Sequence, residues 1–508
     1  MEIRSAIESQ ALNLTVFSGG GLVMVYEIVG SRILSPYVGT STYTWTSLIG
    51  VILGALSLGY WLAGRLADRN PSARILAAAL FGAGTLVCIT VIGEDVVLPA
   101  IASAALPLEI KTVIAALLLF APAAALMGFI VPYAVKLKTH SLDETGSTVG
   151  RLYAISTVGS IIGTFAAGFV LIPFVGSTRT LYGVAAALFI LSGLLASFAT
   201  PRQKAMAITL FVAAIGVNEA GLLVMSRAFN LHETDTRYSR VRIFDTTQAR
   251  SGREIRAMAI DPFIYQSSMY LDTGEPASKY HRYYHLVRAF RPGFEKVLMI
   301  GGAGYSFPKQ FLERYPEKPI DVVEIDPGMT ALAKEHFRLK EDPRMRIIHQ
   351  DGRVFLNEAP SGTYDAVMID AFSTLFSVPH QLTTLEAVRE IRRVLKDEGV
   401  VIFNIGTAVT GDAAMFLGAE ISTYQRVFPE VAIFKVDGSK RDEEVQNVIL
   451  AAFASKTSIA PTDAETREML EHRIPLDSVA SQPVLTDDLA PVEYYASFAQ
   501  RRFVTDLR

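Results

Sequence analysis

The sequence predicts a chain in two parts: an α-helical transmembrane bundle of about seven spans, then a small antiparallel β-region leading into a doubly wound α/β domain. Three observations predict it. Only 22 of the first 226 residues are charged, against 75 of the remaining 282. Seven apolar runs of about the length a bilayer requires lie in the first part. Strand-like and helix-like runs alternate in the second. A chain of 508 residues that is 50% hydrophobic and 19% charged is too apolar for an ordinary soluble protein and too charged for a pure membrane bundle. The split resolves that conflict. It excludes a disordered chain, a secreted disulfide scaffold and a single small domain. A net charge of −3 argues against a nucleic-acid partner. The lone Cys88 leaves no disulfide and no cysteine-based metal site within one chain.

The expected spans are 11–34, 43–64, 73–93, 112–135, 152–173, 178–199 and 205–226, which sets domain limits of 1–228, 229–276 and 277–508. The first span has no small-residue cleavage site and reads as an anchor. The run 96–107, with Pro99 and Pro107, reads as re-entrant or interfacial. Gly50, Gly54, Gly59 and Gly64, then Gly159, Gly163 and Gly168, read as close helix packing. Glu27, Arg32, Asn218 and Glu219 are the polar exceptions. They suit a buried structural pair or a small-molecule site equally. Arg65, Arg69, Arg74, Lys136, Lys138, Arg151, Arg202 and Lys204 fall in the even-numbered loops, which places those loops in the cytoplasm. Seven crossings then put the second part outside. The chemistry below, which uses a cytoplasmic compound, argues for the opposite side.

After the membrane part, runs at 238–244, 254–260 and 268–271 suggest the β-region. Apolar runs at 296–300, 320–325, 346–349, 366–369 and 400–404 read as buried strands, with helices near 307–315, 328–337, 352–358, 383–396 and 413–428. Runs at 431–436 and 448–453 complete a largely parallel sheet. The first strand enters Gly301-Gly302-Ala303-Gly304, where the backbone can approach a ligand closely. The second ends in Glu324-Ile-Asp326, about 20 residues on, placed to accept from ribose hydroxyls. The third ends in Asp351-Gly352, where an acid can meet an adenine amino group. The fourth ends in Asp370. Adjacent strands thus each deliver a carboxylate to one sheet edge. There is no G-x-x-x-x-G-K-[ST] sequence and no third glycine of a dinucleotide fingerprint, so a nucleoside without pyrophosphate fits better than NAD. S-adenosylmethionine or a derivative is the natural candidate. The histidines His232, His285, His336 and His349 show no metal-ligand spacing, and no metal is expected.

At these residues the chain resembles the membrane-fused branch of the spermidine synthase (polyamine aminopropyltransferase) family. The likeness includes Tyr26-Glu27 to Arg32, Gly64 to Arg69, and Gly159 to Pro173. Beyond the spans it includes Ile260-Asp261, Gln266, Tyr280-His281, Gly301-Gly302, Glu324 to Asp326, Asp351-Gly352, Asp370, and Leu485 to Glu493. The resemblance implies a Rossmann-like, class I methyltransferase-like domain. It implies a transferase of polyamine biosynthesis that moves an aminopropyl group from decarboxylated S-adenosylmethionine to an amine such as putrescine, with no tightly bound cofactor. It makes Glu324 the ribose ligand and Asp351 the adenine ligand. Gln266, Tyr280 and His281 would line the aminopropyl and amine pockets, and Asp370 would be the catalytic acid. Gly301, Gly302, Gly304, Asp326 and Gly352 complete the co-substrate site. Soluble relatives commonly associate, so a homo-oligomer is expected as well.

The chain departs from the family at Gly304 and Ser373, where relatives carry acids, and at Ser239, where they carry a cofactor-binding Gln. It departs again at Thr374 to His380, which replaces a Gly-Pro segment. Fewer carboxylates put the diamine substrate in doubt. Two further functions compete with aminopropyl transfer. One is methyl transfer from S-adenosylmethionine on the same fold, motivated by the missing acid at Gly304. The other is a transporter or sensor with a non-catalytic nucleoside- or polyamine-binding domain, motivated by Glu27, Arg32 and Glu219.

Overall fold

A computed structural model describes the chain outside residues 1, 105, 140, 142, 143, 196–200, 250, 263, 372–377, 457, 458, 460, 507 and 508. The chain divides into two compact units. One is Met1–Ala228 with Thr234–Arg240, and the other is Phe229–Glu233 with Val241–Arg508.

The first unit is helical: α1 (Glu2–Val38), α2 (Thr42–Arg69), α3 (Ala73–Ala102), α4 (Leu108–Leu119), α5 (Ala121–Met127), α6 (Ile130–Lys138), α7 (Thr145–Ala166), α8 (Ser177–Leu195) and α9 (Pro201–Phe229). A π-helical stretch, Ala167–Val175, continues α7. Five helices are long and apolar enough to cross a membrane, and α4 with α5–α6 forms a pair bent by 50°. The seventh expected span coincides with α9, many of whose side chains lie outside the described ones.

Two expectations are corrected. The run 96–107 does not form a re-entrant piece, because residues up to Ala102 continue α3 with Pro99 inside it. The break falls instead in the fourth span, where Pro122 at the start of α5 removes a backbone donor. The carbonyl of Leu119 takes hydroxyl donors, Thr90 Oγ1 at 2.6 Å and Tyr26 at 3.1 Å. The glycines also divide. A Cβ on Gly159 would sit 1.9 Å from the Phe17 carbonyl, and one on Gly163 would sit 2.4 Å from that of Gly21, so α1 and α7 touch backbone to backbone. Gly59 meets Ala125 in the same way, whereas Gly50, Gly54, Gly64 and Gly168 face open space within 4 Å.

The two ends of the bundle differ. Lys136 pairs with Asp68 at 2.8 Å, and Lys138 donates to Asn13, at the end that carries the basic even-numbered loops. At the other end, the segment Thr234–Arg240 is held to the helices. Arg240 forms a buried ion pair with Glu94 of α3 at 3.0 Å. Arg32 of α1 donates to the carbonyls of Thr236 and Tyr238. The Asp235 carboxylate accepts from the Ser177 backbone at the start of α8, 2.9 Å away. Glu219 is exposed, and the Asn218 side chain lies outside the described ones.

After α9 comes a four-stranded sheet in the order β1 (His232–Asp235), β2 (Arg240–Thr247), β3 (Glu254–Ala259) and β4 (Ser267–Tyr270), which belongs to the second unit except for Thr234, Asp235 and Arg240. Two short helices follow, α10 (His281–Tyr284) and α11 (Val287–Phe290). The α/β part then runs β5 (Val297–Ile300), α12 (Ser306–Arg314), β6 (Ile320–Val323), α13 (Pro327–His336), β7 (Met345–Ile348), α14 (Gly352–Glu358), β8 (Tyr364–Ile369), α15 (Leu385–Val394), β9 (Leu395–Thr407), α16 (Met415–Tyr424), β10 (Glu430–Lys435), β11 (Gln446–Phe453), α17 (Ala464–Glu471), β12 (Arg473–Ile474) and α18 (Val492–Asp506). The sheet order is β12-β10-β11-β9-β8-β5-β6-β7. Strands β5 to β9 are mutually parallel, and β11 runs antiparallel to both of its neighbours, β9 and β10. β5, β6 and β8 are buried at every position, as strands covered on both faces must be, and for that reason they read as continuous apolar runs. This is a doubly wound, Rossmann-like domain. Its strand order reverses between β5 and β8, and ligands of such sheets bind at the crevice there.

Candidate active site

The sheet edge at the switch point is built from the turn after β5. Gly301 sits at φ +99°, and a Cβ there would fall 2.1 Å from the Asp370 carbonyl oxygen, so only glycine permits this approach. Ala303 and Tyr305 are also left-handed, at φ +43° and +52°. Such non-glycine residues are held only where their surroundings over-determine them. Here the restraint is visible. Glu324 Oε2 accepts from the backbone of Gly302 at 2.8 Å and Ala303 at 3.0 Å. The Tyr305 hydroxyl bonds Thr330 at 2.7 Å, and Thr330 bonds His349 at 2.9 Å.

Glu324 is buried and its carboxyl is pushed up by burial, with the three backbone N–H groups pulling the other way. The third donor is the Asp326 backbone, 2.9 Å from Oε1. With two donors on Oε2 and one on Oε1, one lone pair of Oε1 remains for a hydroxyl donor. Asp326 caps α13 through the Gly328 amide, and its Oδ2 is buried without a hydrogen-bond partner among the described residues. Asp351 caps α14, accepting from Arg353 and Val354 at 2.8 and 3.1 Å. Its other oxygen lies 3.5 Å from the Gln381 amide. Gly352 packs on Ile300, where a Cβ would come within 2.8 Å.

Asp370, directly after β8, receives the Tyr280 hydroxyl at 2.9 Å and the Asn404 side-chain amide at 3.1 Å. The Tyr284 hydroxyl donates to the neighbouring Ile369 carbonyl at 3.2 Å. Part of the Asp370 residue reaches solvent, yet its carboxyl lies deep enough that burial pushes the pKa up to about 6 against the pull of those donors. The His281 ring lies 4.1 Å from that of Tyr280. Burial lowers it to about 3, so it is neutral at physiological pH. Its Nδ1 is buried without a hydrogen-bond partner among the described residues. Gln266 turns inward to accept from the Ile260 backbone at 2.8 Å.

The structure thus brings Gly301, Gly302 and Glu324 into one bonded turn, sets the Asp370 backbone against that turn, joins Tyr280 to the Asp370 carboxylate and places His281 against the Tyr280 ring. One feature differs from expectation. The carboxylates do not come from three adjacent strands, because β5 with its glycine turn lies between β6 and β8. Gly304 has no room for a side chain, since a Cβ would lie 2.5 Å from Ser267 Oγ, which is itself bonded to Ser306 at 2.8 Å. Ser239 lies in a turn closed by Thr236, and residues 372–377, with Ser373, lie outside the described residues. Sequence reasoning missed Asn404. Its signal was a carboxamide within the otherwise apolar run Val400 to Ile405. Tyr284 also lies beside the acid.

The spermine/spermidine synthase domain family matches residues 278–432. A polyamine aminopropyltransferase of Vibrio vulnificus is 32% identical over 168 residues, which cover 33% of this chain and 53% of the relative. Polyamine aminopropyltransferase 2 of Streptomyces coelicolor is 26% identical over 447 residues, covering 80% of this chain and 75% of the relative. The chain thus spans about half the length of the first of these relatives. A probable spermidine synthase from Corynebacterium glutamicum superposes with a TM-score of 0.41 at 20% identity, covering 47% of this chain and 86% of that one.

Proposed function

We propose, from the premise that residues 278–432 form a spermine/spermidine synthase domain, that this chain is a membrane-anchored aminopropyltransferase. The donor is decarboxylated S-adenosylmethionine and the acceptor an amine such as putrescine. The observation that carries this reading is Asp370 at the switch point: its backbone carbonyl lies against the glycine turn, and its carboxyl is held by Tyr280 and Asn404 and is mostly ionised at neutral pH.

In this reading Glu324 spends its remaining lone pair on a ribose hydroxyl, and Asp351 meets the adenine amino group. Gly301, Gly302 and Gly352 let the nucleoside lie on backbone, and Gln266, Tyr280 and His281 line the transferred chain and the amine. An alkylammonium has a pKa near 10 and is not nucleophilic until it loses a proton. Asp370 holds the ammonium and takes that proton as nitrogen forms its bond to the carbon beside sulfur. The carbon–sulfur bond breaks, its electron pair goes to sulfur, and methylthioadenosine leaves. A neutral His281 adds no positive charge to a site that already admits a sulfonium and an ammonium. The sulfonium is a good leaving group, so positioning supplies much of the acceleration. Anchoring belongs to the same proposal. The apolar helices and the bent pair, with α9, make about seven spans in a lipid bilayer.

The test is methylthioadenosine release by the full-length chain in lipid nanodiscs, supplied with decarboxylated S-adenosylmethionine and a panel of amines. Amine-dependent release is expected. Calorimetric preference for S-adenosylmethionine itself, with no release, would overturn this reading in favour of methyl transfer.

A further inference from the structure

Three neighbouring strands supply a line of side chains that ends on the reactive acid. Strands β8 and β9 run parallel with Ile369 beside Phe403, which sets Asp370 alongside Asn404. Strand β11 is antiparallel to β9, with Ile449 opposite Asn404 and Asn447 opposite Gly406. Asn447 is therefore the diagonal neighbour of Asn404 on one face, a spacing that polar side chains bridge. The Asn447 amide donates to Asn404 Oδ1 at 3.0 Å, and the Asn404 amide donates to Asp370 Oδ1 at 3.1 Å. Asn404 is buried at 5% exposure, so its carboxamide cannot turn to water.

A carboxamide has one donating and one accepting end. Asn404 helps Asp370 only while its NH2 faces the acid, because its oxygen in that place would repel a carboxylate. Asn447 removes the ambiguity by occupying the oxygen. On the opposite side, the Tyr280 hydroxyl holds Asp370 Oδ2. The titratable groups facing the acid among the described residues are Tyr280 and Tyr284, both pushed far above neutral pH by burial and hence uncharged. The donors that stabilise the anion are thus neutral, and the orientation of one of them is set two strands away.

We propose that Asn404 and Asn447 are positioning residues that together lock Asp370 in its proton-accepting form, with Asn447 acting only through Asn404. This rests on the reading of Asp370 as the base. It goes beyond that reading in assigning function to β11, which contributes nothing else to the site described above.

The test uses full-length Asn404→Leu, Asn447→Leu and the double variant, each first shown to melt as the parent does. Two readouts are taken against pH. One is methylthioadenosine release. The other is the infrared carboxyl band at Asp370, isolated by difference from Asp370→Asn. Losing the Asn404 donor while burial persists should raise the carboxyl midpoint by about one pH unit and lower kcat at pH 7 with little change in donor KM. Asn447→Leu should shift both in the same direction by a smaller amount, and the double variant should match Asn404→Leu, the non-additivity of a serial contact. An Asn447→Leu protein with parental midpoint and rate would overturn the proposal, as would additive effects. If the parent released no methylthioadenosine, the enzymatic reading would fall, while the infrared midpoint would still decide the asparagine relay.

Discussion

Glu324 carries a structural task beside the ligand role proposed for it. Its position about 20 residues beyond the glycines suggested the ligand role, but nothing in the sequence suggested the structural one. It fastens the amides of Gly302 and Ala303 and so holds a turn with three left-handed residues. That work depends on a backbone reversal that no spacing rule encodes. Glu324→Gln keeps one accepting atom of two. Leaving a buried donor unmade costs about 1–3 kcal/mol, so the variant should weaken donor binding by roughly 5- to 150-fold at 25 °C. Calorimetric titration of the full-length variant checks this, and unchanged affinity would show that the turn holds without the carboxylate. Asp326 and Asp351 were legible as acids at strand ends, and each spends an oxygen on a helix cap. The sequence cannot rank capping against ligand contact, because both demand an acid at the same place.

Among elements, the strands of the α/β sheet were legible because burial on both faces makes them continuous apolar runs, as in β5, β6 and β8. The order of those strands was not, since an apolar run carries no mark of its neighbours. Reading the acids as delivered by adjacent strands failed on that point, and Asn447 went unnoticed because β11 was treated only as sheet completion. In the helical unit, the run 96–107 was expected to be re-entrant or interfacial, and the break at Pro122 was not foreseen. Pro99 is accommodated within α3, and the fourth span gives way where the hydroxyls of Thr90 and Tyr26 can take the Leu119 carbonyl. Helix α16 carries an element-scale anomaly. Glu420 is fully buried, neither carboxyl oxygen has a hydrogen-bond partner among the described residues, and burial pushes its pKa well above the usual carboxylate range. A raised native pKa means that this group's contribution to stability is fully present below about pH 4.5 and is lost as pH rises, because the unfolded chain gains by ionising first. Glu420→Leu should remove this dependence and stabilise the α/β unit by roughly 1–3 kcal/mol at pH 7. Denaturant unfolding of the two proteins at pH 5 and 8 reads it, and equal slopes with pH would refute the assignment.

At the scale of the whole molecule, the charge rule and the proposed chemistry disagree on the side of the α/β unit. The rule assigns the loops with Arg65, Arg69, Arg74, Lys136 and Lys138 to the cytoplasm, and seven crossings then put the α/β unit outside, whereas a cytoplasmic donor puts it inside. Because Cys88 is buried, introduced thiols report cleanly. If the charge rule with seven crossings holds, an impermeant maleimide on intact cells labels Glu317→Cys in the α/β unit and spares Ser141→Cys in the basic loop. The reverse pattern would place the site in the cytoplasm.

Under the proposed function an ionised Asp370 accepts the proton of the attacking amine. The pH dependence of methylthioadenosine release in a single turnover, with saturating donor and amine, reads that step in the parent and in Asp370→Asn. The rate should fall as pH drops through about 6, where the carboxyl protonates. Asp370→Asn should lose about 10²- to 10⁴-fold with no such limb, while melting at or above the parental temperature, since a neutral side chain suits that burial. A substituted protein that keeps the parental rate and the parental limb would contradict the account.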